Sequence, residues 1–431
     1  MQVQVKASFY QSFGGINFME EYYRRMGIEN LLTEHVGLRS LLAVYSYSDI
    51  IKSLYYMFAI GGDVLDDLNT LNKQVQDRPQ LNICSPDTVG YAFKELVKPT
   101  VVHTTGKGVK HQINEHTGFN KILAALCLRG KILNTTDVYT MDYDGHITEN
   151  SKADNAVNYK GTESYYPVIA SINKLPIYMQ NRNGNTPESY QQPDVINKSF
   201  GQCESLGIKV GKFRTDACCY EKKTVEFLES KLIKYYIRAE INAGLRIALE
   251  DETEWQTVEL GYKKVDVCSI QEKLFGSDEY RRVVAYRYKA KGQLTIDDVG
   301  TGYRYYAIVT SDTDATPLDC ISFYNHRGCE GEHHFKELNK DFGWEKLPFD
   351  SMEMNTIYMY ATIIAYLLFN IYKHRYAAIV DFIKPQMRLK NFILHFVTLT
   401  ANPDSYRGIK TGRQFVLRIF TPKDYSPIYA T

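Results

Sequence analysis

Three carboxylates in the chain of 431 residues stand where a fold could gather them: Asp142, Asp216 and Glu332. They lie 74 positions (216 − 142) and 116 positions (332 − 216) apart, so only tertiary structure can bring them together. Carboxylates that share a site repel one another unless hard divalent cations lie between them. Two such ions, about 3.5–4 Å apart, can activate an attacking oxygen and stabilise a leaving one during phosphoryl transfer. The three acids are therefore candidate ligands for Mg²⁺, with Mn²⁺ as the alternative.

The segments around these acids predict a mixed α/β sheet. VYTMDYDGHI, YYPVIASIN and LPIYMQNR are strand-like runs joined by short polar turns, and the first contains Asp142. A helix, a strand ending at Asp216, a second helix and a further strand follow. In this order the first and fourth strands are expected to be neighbours. An acid in a buried strand needs a partner or a function, although each acid alone could equally form a cap or a turn.

The helix predicted to carry Glu332 lies in YNHRGCEGEHHFKELNKDFGW, residues 324–344. Four-residue spacing places Glu332, Lys336 and Lys340 along one stripe. An adjacent apolar stripe of Phe335, Leu338 and Phe342 is expected to pack against the sheet. The other acids are expected to be surface or capping groups: Glu330, Glu337, Asp341 and Glu345. A zinc site at His333, His334 and Glu337 is disfavoured, because adjacent histidines point ~100° apart on a helix.

Basic residues are concentrated locally although the net charge is only +1. Residues 371–423 hold ten Lys or Arg against two acids, residues 281–292 hold five against none, and residues 86–132 hold seven against three. One such run could be solvated surface, but three in a near-neutral chain favour a bound polyanion.

The cysteine pattern and the most apolar segment bear on location. Eight cysteines without a CxxC pair indicate reduced thiols and a cytoplasmic protein. The apolar run of residues 356–372 contains four tyrosines and one asparagine, which favours a buried helix over a membrane span.

Five motifs occur in a fixed order: MDYDG, NRNGN, FRTDACCYEKKTVEFLE, YYIRA and YNHRG…NKDFGWEKLPF. With these motifs the chain resembles the DDE transposases of bacterial insertion sequences, in the branch with a β-strand insertion and a Tyr-x2-Arg-x3-Glu-x6-Lys signature. The resemblance covers about residues 51–376. It implies a ribonuclease-H-like mixed sheet with helices on both faces, interrupted by an all-β insertion and preceded by a helical N-terminal domain.

The resemblance implies that Asp142, Asp216 and Glu332 are the catalytic and metal-binding residues. Asp144 is an alternative to Asp142, because both lie on the same strand face. Four residues separate Arg327 from Glu332 where the signature has three, so Glu330 is an alternative to Glu332.

The signature also implies that Tyr324 and Arg327 hold phosphates near the cut, since a planar guanidinium binds phosphate at two points. Asn339 stands at the strict lysine position, so Lys336 and Lys340 are both candidates. Further DNA-binding candidates are Trp255, Arg281, Arg282 and Arg287. Trp255 could stack on an unpaired base or pack in the core.

The implied activity is cut-and-paste transposition, with cleavage at transposon ends and strand transfer into target DNA. The partner would be double-stranded DNA in a bacterial, nucleoid-associated setting, and a homodimer is expected because two ends must be joined. Two alternatives stay open: a metal-dependent nuclease that cuts without joining, and a non-catalytic DNA-binding protein derived from a transposase.

Composition and period divide the chain into five regions. The first is largely helical, and its CSPDTVGYAFKELVKP segment is either the second helix of a helix-turn-helix or a linker helix begun by Ser85 and Pro86. The regions are 1–132, the helical N-terminal DNA-binding region; 133–241, the first part of the catalytic domain; 242–319, the β-strand insertion; 320–400, the second part of the catalytic domain; and 401–431, a basic C-terminal tail.

Overall fold

A computed structural model describes residues 11–289, 302–330, 333–403 and 417–420 of the chain. Its centre is a mixed sheet of eleven strands in the order β1-β2-β8-β7-β3-β9-β10-β14-β13-β12-β11. The strands are β1 (Val101–Thr104), β2 (Lys110–Asn114), β3 (Val138–Gly145), β7 (Val168–Ile172), β8 (Leu175–Arg182), β9 (Lys209–Thr215), β10 (Lys234–Ala239), β11 (Gln256–Leu260), β12 (Lys263–Lys273), β13 (Tyr280–Lys289) and β14 (Tyr303–Thr310). A small separate sheet contains β4 (Thr148–Glu149), β5 (Ala156–Val157) and β6 (Glu163–Tyr165).

The middle of the sheet follows the predicted order. β3, β7 and β8 form an antiparallel meander, and β9 then pairs parallel to β3 on its other side. Every residue of β7 and β8 is buried. Because alternate residues point to opposite faces, full burial means that both faces of these strands are covered. The prediction that the Asp142 strand lies beside the strand ending at Asp216 is confirmed.

Helices cover the middle of the sheet. α6 (Thr117–Arg129) packs on β8, α7 (Gln192–Ser205) on β8 and β9, and α8 (Lys222–Ser230) on β10. The long helix α13 (Met352–Ala377) packs on β2 and β8 as well as on the N-terminal helices. It is long and apolar enough to cross a membrane, and 94% of its most apolar window is buried inside the protein.

The N-terminal region contains the expected helices: α1 (Gly15–Arg25), α2 (Ile28–Val36), α3 (Tyr47–Ala59), α4 (Asp67–Gln74) and α5 (Pro86–Leu96). The Ser85 hydroxyl accepts from the Thr88 amide, as the capping pattern predicts. The sequence did not predict the hairpin of β1 and β2, which joins this region to the main sheet through β8. The region therefore shares the central sheet and core of the molecule.

Residues 242–319 contain strands as predicted, β11 to β14 among the described residues, but differ from the prediction in two ways. A helix, α9 (Ala243–Asp251), precedes the strands and is capped by the Asn242 side chain. β14 pairs with β10, so the strands lengthen the central sheet instead of leaving it. We call β11–β14 the sheet extension.

After the extension the chain returns to the middle of the sheet through helices. These are α10 (Pro317–Asn325), α11 (Arg327–Glu330) and α12 (His333–Asp341), followed by α13 and then α14 (Leu389–Phe392). A π-helical turn at Ile393–Val397 and a two-stranded sheet of β15 (Thr400–Pro403) and β16 (Leu417–Phe420) complete the described chain. Most of the predicted basic tail lies outside the described residues.

Candidate active site

Asp142 lies inside the sheet in an ion pair with Arg214 of the neighbouring strand. Arg214 Nε and Nη2 donate to Asp142 Oδ1 and Oδ2 at 2.6 and 2.9 Å, and both side chains are almost fully buried. Arg214 Nη1 also donates to the Phe323 carbonyl oxygen of α10 at 2.6 Å. This two-point pair neutralises the carboxylate and ties α10 to the sheet.

Asp144 and Asp216 lie one row further along the same two strands. Asp142 is paired with Arg214 and Tyr143 with Thr215, so Asp144 is level with Asp216 at the end of β9. Arg327 Nη2 lies 2.9 Å from Asp144 Oδ1 and 4.0 Å from Asp216 Oδ2. The row thus combines two carboxylates from adjacent parallel strands with an arginine from the helical return.

The local backbone orients both acids. The Gly145 amide donates to Asp144 Oδ1 at 3.1 Å. Asp216 begins a 3₁₀ turn, where its Oδ1 accepts from the Cys218 amide at 2.9 Å. These contacts explain why the acids stand at strand ends: each carboxylate satisfies an amide that the ladder no longer pairs.

Glu188 brings a third carboxylate to this row, which no local pattern in the sequence predicts. Ligand atoms of Glu188, Asp216 and Cys218 lie within 4.8 Å of one another. Tyr166 donates its hydroxyl to Glu188 Oε2 at 3.0 Å, whereas Oε1 is buried without a hydrogen-bond partner among the described residues. A pocket of about 670 Å³ opens beside these groups.

The electrostatics of Glu188 indicate that burial and negative charge outweigh the positive charge of Arg327 at this carboxyl. Burial, and then the neighbouring Asp216 carboxylate, raise the pKa of Glu188 to about 7. Burial and the Glu188 and Asp216 charges likewise raise the pKa of the Cys218 thiol. A carboxyl at such a pKa holds its proton up to neutral pH unless a cation replaces it.

Tyr324 and Arg327 lie at the end of α10 and the start of α11, close to the Asp144 and Asp216 carboxylates. Both side chains are buried. Burial raises the pKa of the Tyr324 phenol, while Arg327 and Arg238 lower it and Asp216 and Asp144 raise it. The tyrosine therefore lies within the field of both carboxylates and both arginines.

α12 packs beside the site, but Glu332 lies outside the described residues. Phe335, Leu338 and Phe342 are buried as predicted. Their neighbours differ from the prediction: Phe342 packs on Phe58 of α3 and on α13, and Phe335 stacks on the His146 ring at 4.8 Å. The stripe therefore faces helices and the end of β3.

The polar residues of α12 divide between surface and core. Lys336 and Lys340 are exposed, as expected of phosphate-binding candidates. Asn339, at the strict lysine position, lies 2.6 Å from His146 Nε2 through its Nδ2. Glu337 is buried, which corrects its prediction as a surface group, because it faces Tyr366 and Lys373 of α13.

The predicted DNA-binding residues of the extension are engaged with the protein itself. Arg281 is buried and paired with Glu229 and Glu279, so its assignment to DNA is corrected. Arg282 donates to Ser269 Oγ at 2.9 Å and to the Asp312 carbonyl oxygen.

Trp255 and Arg287 contact each other in the sheet extension, on the strand face opposite to that of Arg282. The Arg287 guanidinium lies 4.1 Å from the Trp255 ring centroid, and the indole donates to the Glu252 carbonyl oxygen at 2.9 Å. Arg287 also pairs with Asp266 at 3.4 Å. Trp255 thus packs against protein, in line with the core role that the sequence left open.

The class of protein follows from a family comparison. A model described as "Transposase DDE domain group 1" matches residues 1–387. The chain belongs to this family of DDE transposases. A cryo-EM structure of piggyBac transposase in a synaptic complex with hairpin DNA is similar, with 10% sequence identity and a TM-score of 0.44 over 90% of this chain and 80% of that chain. No curated protein sequence matches the chain.

Proposed function

We propose that this transposase cuts DNA at the ends of a bacterial insertion sequence and joins the freed 3′ ends to target DNA, in a metal-dependent cut-and-paste reaction. The observation that carries the proposal is the row formed by Asp144, Asp216 and Arg327. Two acids level on adjacent parallel strands, with an arginine between them, suit a reaction at a phosphate. We assign Asp144 as the first catalytic carboxylate in place of Asp142, whose charge is already neutralised by Arg214.

The donor set suits a hard divalent cation. Asp144, Asp216 and Glu188 offer carboxylate oxygens, and the unpaired Oε1 of buried Glu188 with its raised pKa favours added positive charge. Glu332, or its alternative Glu330, is the further ligand that the signature predicts. When bound, Mg²⁺ would make a water or a 3′-hydroxyl more acidic and stabilise the leaving oxygen.

The chain's own residues would hold the scissile phosphate. Arg327 pairs with Asp144 at 2.9 Å in the free protein, and a phosphate offers its planar fork a two-point alternative. Tyr324, buried beside it, would donate its hydroxyl to a phosphate oxygen. The buried Asp142–Arg214 pair has a positioning role, because it fixes the strand ends and α10 on which these groups stand.

Two further features complete the proposal. The strand order β8-β7-β3-β9-β10, an antiparallel meander followed by two parallel additions, β9 on β3 and β10 on β9, supports a ribonuclease-H-like catalytic core. A homodimer with double-stranded DNA is the expected active form, since two ends must be joined at one target.

The test is an excision and joining assay on the DNA that flanks the protein's own gene. Wild-type protein with Mg²⁺ should excise a marker placed between the flanks and join it to a plasmid, and Asp144→Asn should do neither while still binding the ends. A pre-cut end separates the alternatives: cleavage without joining of that end would indicate a nuclease. Binding without any cleavage in Mg²⁺ or Mn²⁺ would indicate a non-catalytic DNA-binding protein.

A further inference from the structure

Three tyrosines of the sheet extension stack into a continuous row. Tyr286 of β13 lies opposite Tyr306 of β14, with ring centroids 4.9 Å apart and planes 8° from parallel. Tyr288 stacks on Tyr306 at 5.7 Å, and their hydroxyls lie 3.0 Å apart. We call these three residues the tyrosine row.

Two cations contact the tyrosine row, one at its central ring and one at an outer ring. The Arg238 guanidinium of β10 lies 4.7 Å from the Tyr306 ring centroid, and the Lys263 ammonium of β12 lies 5.8 Å from that of Tyr288. Neither cation forms an ion pair within the described part of the chain. Asp266, the acid nearest in sequence to Lys263, alternates to the other strand face, where it meets Arg287. The row and its two cations therefore form a positively charged aromatic surface.

The tyrosine row lies beside the candidate active site and extends from it across the sheet. Arg238 follows Ile237, which pairs with Thr215, so Arg238 stands level with Asp216. The next strands place Tyr306, Tyr286 and Lys263 successively further from the site. Four strand spacings separate β9 from β12, about 19 Å in all. Tyr324 connects the two regions, since it lies near Asp216, Arg238 and Tyr286.

The sheet face that carries the tyrosine row is accessible to solvent. α10 covers the preceding positions, where Val284 and Ile308 are buried in a cluster with Ile321 and Tyr324. Tyr286, Tyr288 and Tyr306 are only half-buried, and Lys263 is exposed. A groove of about 680 Å³ reaches Tyr288 and is lined by basic side chains: Lys263, Lys264, Arg287, Lys289 and Arg304.

We propose that the tyrosine row, with Arg238 and Lys263, binds a short stretch of unpaired single-stranded DNA leading away from the reacting phosphate. Aromatic rings accept bases of any sequence by stacking, and the flanking cations would pair with the backbone phosphates. The proposal rests on the proposed function for the identity of the polyanion. It deepens that function, because it assigns to the extension a strand that is not base-paired.

The experiment is fluorescence anisotropy with the full chain, a labelled short oligothymidylate and a labelled duplex of unrelated sequence. Tyr288→Ala should weaken oligothymidylate binding at least about fivefold and duplex binding by less than about twofold. Tyr288→Phe, which keeps the ring, should bind like the wild type. Tyr280→Ala, at an exposed tyrosine at the other end of β13 and outside both the row and the groove, is the matched control and should change neither affinity.

A second variant tests the cation. Arg238→Gln should reduce the salt dependence of oligothymidylate binding by about 0.7 in the log–log slope, and Arg238→Lys should restore it. Equal losses on single strand and duplex, or unchanged single-strand binding with both folded variants, would overturn the inference. Wild-type protein that binds duplex but no single strand also overturns it and leaves the transposase proposal standing. Wild-type protein that binds neither DNA refutes both.

Discussion

Replacing Asp142 and replacing Asp144, two positions further on, should have opposite effects on stability and on Mg²⁺ binding. Asp142→Asn removes one charge of a buried pair and leaves Arg214, itself buried, facing a neutral amide. Breaking a buried pair from one side costs about 3–5 kcal/mol, and the preserved shape of Asn points to the lower end. Asp144→Asn also loses a pairing to Arg327, but it relieves repulsion with Asp216, so its stability should stay within about 1 kcal/mol of the wild type.

The measurement is urea unfolding followed by tryptophan fluorescence, because Trp344 is buried beside α12 and α13. The unfolding midpoint should fall clearly for Asp142→Asn and little for Asp144→Asn. Calorimetric titration with Mg²⁺ in the native baseline should show the reverse order, with weakened binding for Asp144→Asn only. Replacing the pair together, Asp142→Leu with Arg214→Met, should recover much of the lost stability.

An exchange of behaviour between the two variants would contradict this prediction. An Asp142→Asn protein as stable as the wild type that no longer binds Mg²⁺, beside an Asp144→Asn protein that binds it normally, would return the catalytic role to Asp142. The Asp142–Arg214 contact would then be a resting pair that the metal replaces.

Three further predictions concern stability. Burial lowers the pKa of His116 to about 4, so at this side chain the unfolded chain binds an extra proton between about pH 4 and 6.5. Its contribution should make stability rise with pH there by at most about 3 kcal/mol. His116→Asn, which keeps a capping side chain on α6, should remove this part of the rise in pH-dependent urea unfolding and leave the part due to His146. Glu337→Gln should destabilise by about 1–3 kcal/mol, because Lys373 keeps its buried charge without a counter-ion; the double variant with Lys373→Met should cost less than the single one, with exposed Glu345→Gln as a neutral control. Gly201→Ala, in an exposed position of α7 with open space around it, should stabilise by about 0.5–1 kcal/mol, whereas Gly118→Ala should destabilise by about 1–3 kcal/mol, since its Cβ would collide with the His35 carbonyl oxygen; thermal melting of both variants checks this pair.

Local pattern was sufficient to predict much of the fold. The apolar runs of β3, β7 and β8, the capped start at Ser85 and the change of period after residue 132 each depend on neighbouring residues only. β1 was missed because its four residues are largely exposed and carry no alternating pattern. α9 was missed because it is only nine residues long and leads directly into alternating strand patterns, although Asn242 and the four-residue spacing of Leu245 and Leu249 are typical of a helix start.

The site was harder to predict because its decisive partners are distant in sequence. Asp142 and Asp144 are equivalent by spacing, and only Arg214, 72 residues later (214 − 142), distinguishes them. Glu188 lies in a loop with no periodicity, so its approach to Asp216 depends on how β8 and β9 are placed. Glu337 appeared to be a surface acid until α13 supplied Lys373. In each case long-range pairing overrode a local rule.

The position of α13 late in the chain has a consequence for biosynthesis. Its apolar surface is the partner of α3, α5 and α6, yet α3 ends 293 residues (352 − 59) before α13 begins. During translation the early helices must therefore wait, with apolar faces uncovered, for a segment made near the end of synthesis. A chain that ended before α13 would leave α3, α5 and α6 without the helix that covers their apolar faces. Such a fragment is expected to be degraded and not to accumulate beside the intact protein.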